Sequence, residues 1–109
     1  MRKVTQQIAE AFKNNKKCTI SNTMTDGQAV YLHGNKIVWR DPNSFSGLMI
    51  SMCGWGTPTT RERINGILNV LGAEVGVGQR NHQQGFVYPD GSFEPIDSEK
   101  AYSVFDCEV

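Results

Sequence analysis

The sequence predicts an α+β fold: an N-terminal helix, an antiparallel meander of about four strands, a second helix and a C-terminal β-hairpin. Three observations carry that prediction. Apolar residues recur at helical spacing in two places, Val4/Ile8/Ala11/Phe12 and Ile64/Ile67/Leu68/Leu71. Between them, apolar-rich runs alternate with hairpin-type dipeptides, Asp26-Gly27 and Gly34-Asn35. The chain is 109 residues long, the length of one domain with one core.

The first helix is expected over about residues 3 to 15. Gln6, Gln7, Glu10 and Lys13 fall on its wet side, and Lys13, Lys16 and Lys17 gather at its C-terminal end, where positive charge suits the helix dipole. Cys18 to Met24, rich in Thr and Ile, reads as one strand. After Asp26-Gly27 comes the central hairpin, Gln28 to Arg40, turning at Gly34-Asn35. A two-residue turn there places Val30, Leu32, Ile37 and Trp39 on one face and Ala29, Tyr31, His33, Lys36, Val38 and Arg40 on the other. The first set suits a core. The second is mixed, and is either an interface, with Met49 and Ser51 alongside, or a second core under the C-terminal segment.

Asp41-Pro42-Asn43-Ser44 is a turn cluster, and Leu48 to Cys53 alternates as a fourth strand. Gly54 to Pro58 breaks the sheet. Thr59 as N-cap with Glu62 three residues on matches a capping box, and Gly72 suits the residue beyond the helix end. Gly66 in mid-helix is costly unless something approaches closely; Trp39 and Trp55 are the candidates. Val75 and Val77 suggest a short strand, Gln79 to Gln84 a polar loop, and Phe86 to Phe93 a last hairpin around Pro89-Asp90-Gly91. Pro95 marks an edge or an exit. The acidic segment Asp97 to Val109 either docks through Tyr102, Val104 and Phe105 or forms a flexible tail to the single domain.

Net charge is zero but polarised. Residues 1 to 40 hold seven Lys and Arg against two carboxylates, and residues 89 to 109 hold one Lys against six. Such a dipole either steers a charged partner or pairs the two ends. No apolar run approaches the roughly 18 residues of a membrane span, and no apolar stretch follows Arg2-Lys3, so neither a membrane location nor a signal peptide is expected. The three cysteines, Cys18, Cys53 and Cys107, form no CxxC pair. Reduced thiols are the expectation, and neither a metal site nor a cofactor is expected.

No catalytic constellation is present, and an enzyme is not expected. His33 has Lys36 for its cross-strand neighbour, and His82 sits in a polar stretch. Gly72, Gly76 and Gly78 lack the strand-glycine-lysine-helix order of a phosphate loop. The start of the second helix, after Gly54 and Gly56 and with Arg61 and Arg63 nearby, is a weaker anion candidate. Tyr31, Trp39 and Trp55 with Arg40, Arg61, Arg63 and the lysines could make a stacking surface for single-stranded nucleic acid, although Trp39 is placed inward.

Leu32-His33-Gly34-Asn35-Lys36-Ile37, Gly54-Trp55 and Thr57-Pro58 followed by TTRERING (residues 59 to 66) resemble a family of small uncharacterised proteins encoded by tailed bacteriophages, prophages and plasmids. Ala11-Phe12 and Asn22-Thr23 fit the same pattern, and the resemblance covers roughly residues 2 to 72. It implies a mobile element's accessory protein acting in a bacterial host cytoplasm. The expected function is therefore non-enzymatic binding to a host protein, with single-stranded nucleic-acid binding as the alternative; oligomeric state is left open. The expected partner-binding residues are Tyr31, His33, Lys36, Arg40, Trp55, Arg61 and Arg63.

Overall fold

A computed structural model describes residues 1–44 and 47–104. It is α+β, with two helices and two antiparallel sheets. Helix α1 (Lys3–Lys13) buries Thr5, Ile8, Ala9 and Phe12. It stops at Asn14, and Asn15 takes the left-handed conformation (φ 58) that asparagine tolerates better than most residues.

The main sheet begins with β1 (Cys18–Ile20), β2 (Thr23–Thr25), β3 (Ala29–Leu32), β4 (Asn35–Arg40) and β5 (Leu48–Ser51), which pair in chain order. The single strand expected over Cys18 to Met24 is in fact two. The chain reverses at Ser21-Asn22, with Ser21 at φ 56, and Ile20 pairs with Thr23. Asp26 shapes the next turn: its Oδ1 accepts from the backbone N–H of Gln28 and of Ala29, both at 2.8 Å, and these bonds hold its carboxyl below the usual range.

The central hairpin turns one residue earlier than expected, at His33-Gly34. Both residues have positive φ (52 and 81), the signature of a type I′ turn, and Leu32 pairs with Asn35. One step later the register shifts: Tyr31 faces Lys36, but Val30 faces Val38, leaving Ile37 as the extra residue of a β-bulge. A bulge lets two successive side chains share a face, and both Ile37 and Val38 are buried, at 1% and 0% exposure. This corrects three placements. Val38 joins the core, Trp39 moves to the outer face, where it is half-buried, and Arg40 turns inward beside Phe12.

Arg40 then finishes α1. Its Nη2 donates to Phe12 O at 2.9 Å and its Nη1 to Gly27 O at 2.8 Å, with the guanidinium 4.1 Å from the Phe12 ring centroid. A cation on the last carbonyls of a helix is favoured by the dipole.

Helix α2 (Pro58–Val70) is capped by Thr57, not Thr59: Thr57 Oγ1 accepts from Thr60 N at 3.3 Å, and Pro58 occupies the first helical position. Proline is preorganised there and has no N–H to leave unpaired, so it sets the start two residues upstream of the expected capping box. Gly66 admits α1. A Cβ at 66 would lie 2.2 Å from Thr5 Cγ2, so the close neighbour is the first helix and neither tryptophan. Gly72 ends α2 as expected, at φ +80.

The C-terminal part is larger than one hairpin. Strands β6 (Gly76–Arg80), β7 (Gln83–Val87) and β8 (Phe93–Pro95) form a three-stranded sheet in that order. The polar loop expected at 79 to 84 is a hairpin turning at Asn81-His82, with φ 50 and 67. The hairpin around Pro89-Asp90-Gly91 forms as expected, and Pro95 lies on the edge strand β8. The acidic segment then docks: β9 (Ala101–Ser103) pairs with β5 as a sixth strand of the main sheet, and Val104 is buried. Phe105 to Val109 lie outside the described residues.

The core sits between the inner face of the six-stranded sheet, the two helices and the small sheet. Val30, Val38, Leu48, Ile50, Ile8, Phe12, Ile64 and Ile67 meet Val77, Phe86 and Val104 in one cluster. Phe86 stands edge-on to Tyr102 at 6.0 Å between ring centroids.

Candidate functional site

The charged residues of the TTRERING string serve the fold. Arg61 Nη1 donates to Gly56 O at 2.9 Å, Gln84 Oε1 at 3.0 Å and Gln79 Oε1 at 3.1 Å, tying α2 to the small sheet. Arg63 is 3% exposed. Its Nε donates to Thr23 Oγ1 at 3.0 Å, and its Nη1 to Thr5 Oγ1 at 2.9 Å and to Glu62. Glu62 also accepts from Thr5 Oγ1 at 2.6 Å. Burial alone would raise the Glu62 carboxyl, but the bonds from Thr5, the Arg2 backbone and Arg63 outweigh it and hold the group below its ordinary value. Asn65 and Gly66 complete the string: Asn65 bonds β6, and Gly66 receives Thr5.

Arg40, Arg61 and Arg63, expected at a partner surface, each make hydrogen bonds inside the molecule. Each lies where two elements meet and carbonyls or hydroxyls need donors. Tyr31 and Lys36 do lie on the outer sheet face, half-buried and exposed respectively. His33 is exposed at the hairpin turn, its Nε2 3.4 Å from Asn22 Nδ2. Trp55 is 60% exposed.

Trp55 and His33 come together. A cleft of about 440 Å³ opens between the tip of the β3–β4 hairpin and the start of α2. Leu32, His33, Asn35 and Ile37 line it from the hairpin; Thr57, Thr59 and Thr60 line it from the helix, with Trp55 beside them. The local chain explains why so large an apolar side chain stays in water. Cys53 and Gly54 both take positive φ (53 and 82), and the turn is pinned by Trp55 N to Met52 O, Thr57 N to Trp55 O and Gly54 N to Ser98 O, at 2.8, 2.8 and 2.7 Å. The backbone on both sides of the indole is therefore fixed.

Among the described residues, no Lys, Arg, Asp or Glu lines the cleft. At the start of α2, the weaker anion candidate, Arg61 and Arg63 make the internal contacts above, and Thr57 itself accepts from the N–H groups of Thr60 and Arg61, as a capped helix start does. Sequence reasoning missed Leu32, Asn35, Ile37, Thr57, Thr59 and Thr60 as cleft residues; Pro58 as a first helical residue was the available signal for Thr57. Among the described residues, no group of three or more His, Cys, Asp and Glu could hold a metal ion. His82 is exposed at its turn, and Cys18 and Cys53 are free thiols.

A family model described as Kyanoviridae Gp96 protein matches residues 1–104. The chain belongs to this family. Kyanoviridae Gp96 is a phage protein family, so the phage context implied by the sequence resemblance holds, and the match runs on through the small sheet and β9, where no resemblance was legible. No curated protein and no solved structure matches the chain.

Proposed function

We propose that this Kyanoviridae Gp96 family member acts without catalysis, by binding a bacterial host protein in the host cytoplasm as a phage accessory factor. Trp55 carries this reading: a large apolar side chain, 60% exposed on a hydrogen-bonded turn, beside a cleft with no Lys, Arg, Asp or Glu among its described lining residues. Such a pairing fits an apolar or aromatic side chain of a partner, with Trp55 as the hot spot and the threonine hydroxyls, His33 and Asn35 as its polar surround. Tryptophan is among the residues most enriched at interface hot spots. No helix among the described residues is long and apolar enough to cross a membrane.

The test is affinity capture from infected bacteria with quantitative mass spectrometry, comparing wild type with Trp55→Ala. A host protein that is enriched by wild type, binds it when both are purified, and is lost with Trp55→Ala at unchanged melting temperature supports the reading. Equal capture by both proteins refutes it.

A further inference from the structure

The outer face of the six-stranded sheet lies on the other side of the sheet from the core. Strand pairing and the bulge define its members. Thr19, Met24, Tyr31 and Lys36 are cross-strand neighbours in one row, and Ala29, Trp39, Met49 and Ser103 in the next. Tyr31 and Trp39 are therefore diagonal neighbours on the two central strands, flanked by the thioethers of Met24 and Met49. Both helices and the small sheet join the core on the opposite face, and Thr19 and Lys36 remain exposed.

Two features of this face select its occupant. Lys36 Nζ lies 4.8 Å from the ring centroid of the half-buried Trp39, and Lys36 itself is exposed, so the indole sits within reach of a cation that meets solvent. Second, Lys36 is the face's one charged side chain among the described residues of the two rows, which contain no carboxylate in a chain with 11 of them. Two aromatic residues at diagonal positions, polarisable neighbours, hydroxyls and a cation without an acid suit bases attached to a phosphate backbone. An electropositive protein patch would meet no countercharge here.

We infer that this face binds single-stranded nucleic acid, with bases stacking on Tyr31 and Trp39 and Lys36 moving from the indole to a phosphate. The site differs from the one first suggested by the sequence, since Arg40, Arg61 and Arg63 have no part in it and Trp55 lies with the cleft. It does not depend on the host-protein reading.

The chain has two tryptophans, Trp39 and Trp55, so Trp55→Phe leaves Trp39 as the sole indole reporter. Oligothymidylate and oligouridylate single strands are titrated into this protein at low salt, beside a duplex of equal length. Saturable quenching by either single strand, weaker by at least tenfold in affinity for the duplex, is expected; which strand binds tighter distinguishes DNA from RNA as the source. Lys36→Gln should lower the slope of log K against log salt by roughly 0.7, the value for one single-strand phosphate contact. Lys36 is exposed, so this variant should keep the fold, and an unchanged melting temperature checks it. No quenching at low salt overturns the proposal. So does binding seen by anisotropy that leaves Trp39 emission unchanged, or quenching whose salt slope Lys36→Gln does not alter.

Discussion

Asn65 is the residue whose removal should say most about how the two sheets are held in one molecule. Strand β6 is an edge strand, and Val77 turns its N–H and C=O away from β7 and toward α2. Asn65 answers both groups: Val77 N donates to Oδ1 at 2.7 Å, and Nδ2 donates to Val77 O at 2.9 Å. A single side-chain amide thus takes the place of a neighbouring strand. Gly76 makes the approach possible, since a Cβ there would lie 3.0 Å from Asn65 Oδ1. Val77 is only 5% exposed, so Asn65→Ala orphans two largely dry backbone groups. Each such group costs about 1–3 kcal/mol, and because Asn65 itself is half-buried some water can replace it, giving about 2–4 kcal/mol for the pair. In a domain of this size that lowers the melting temperature by on the order of 10 °C. Asn65→Asp is the sharper variant. Its carboxylate still accepts from Val77 N–H but sets a second oxygen against Val77 O, so near neutral pH it should be at least as costly as alanine. That repulsion raises the pKa of the introduced carboxyl on folding. Part of the loss should therefore return as pH falls and the acid becomes a donor to Val77 O. Thermal melts of the three proteins across pH check this. A wild-type melting temperature for Asn65→Ala, or a deficit in Asn65→Asp that does not narrow relative to Asn65→Ala in acid, would refute the edge-capping account.

Three further outcomes follow from the same contacts. Gly66→Ala should destabilise by about 1–3 kcal/mol in denaturant melts, because the overlap with Thr5 outweighs the gain in helix propensity. Thr57→Ala should cost about 0.5–2 kcal/mol while Thr59→Ala leaves the midpoint near wild type, and the reverse order would restore the capping box at Thr59. Glu62 has a lowered carboxyl pKa, so its contribution is present above the unfolded glutamate value and is lost as pH falls through the folded one. The stability gap between wild type and Glu62→Gln should accordingly shrink on acidification, and a gap that widens would contradict the assignment.

The sequence showed the helices well because each carries its own periodic stripe: Ile8 and Phe12 in α1, Ile64, Ile67 and Leu68 in α2, all buried. It was weaker wherever a structure depends on non-glycine residues in left-handed conformations. Ser21, His33, Asn81 and His82 each sit at a tight turn with positive φ, and none forms a standard hairpin dipeptide in the position used. The bulge at Ile37 was invisible for a related reason. A strictly alternating pattern cannot report one inserted residue, and that residue decides the faces of Val38, Trp39 and Arg40. Of the candidate site, Trp55 and His33 were legible as unusual residues. The internal bonds of the arginines were not legible, because a guanidinium that satisfies carbonyls between elements looks, in a sequence, like one waiting for a ligand. Strand β9 was hidden by the acidic composition around Ala101–Ser103; its pairing with β5 is long-range and has no local signal.

Hydrogen–deuterium exchange of the chain alone and in complex with the purified host protein it captures tests the central claim most directly. The account predicts new protection at the hairpin tip, residues 32 to 37, and at residues 55 to 60, where Trp55 and the start of α2 border the cleft. Protection confined to the small sheet or to α1, with both cleft segments exchanging as in the free protein, would contradict it.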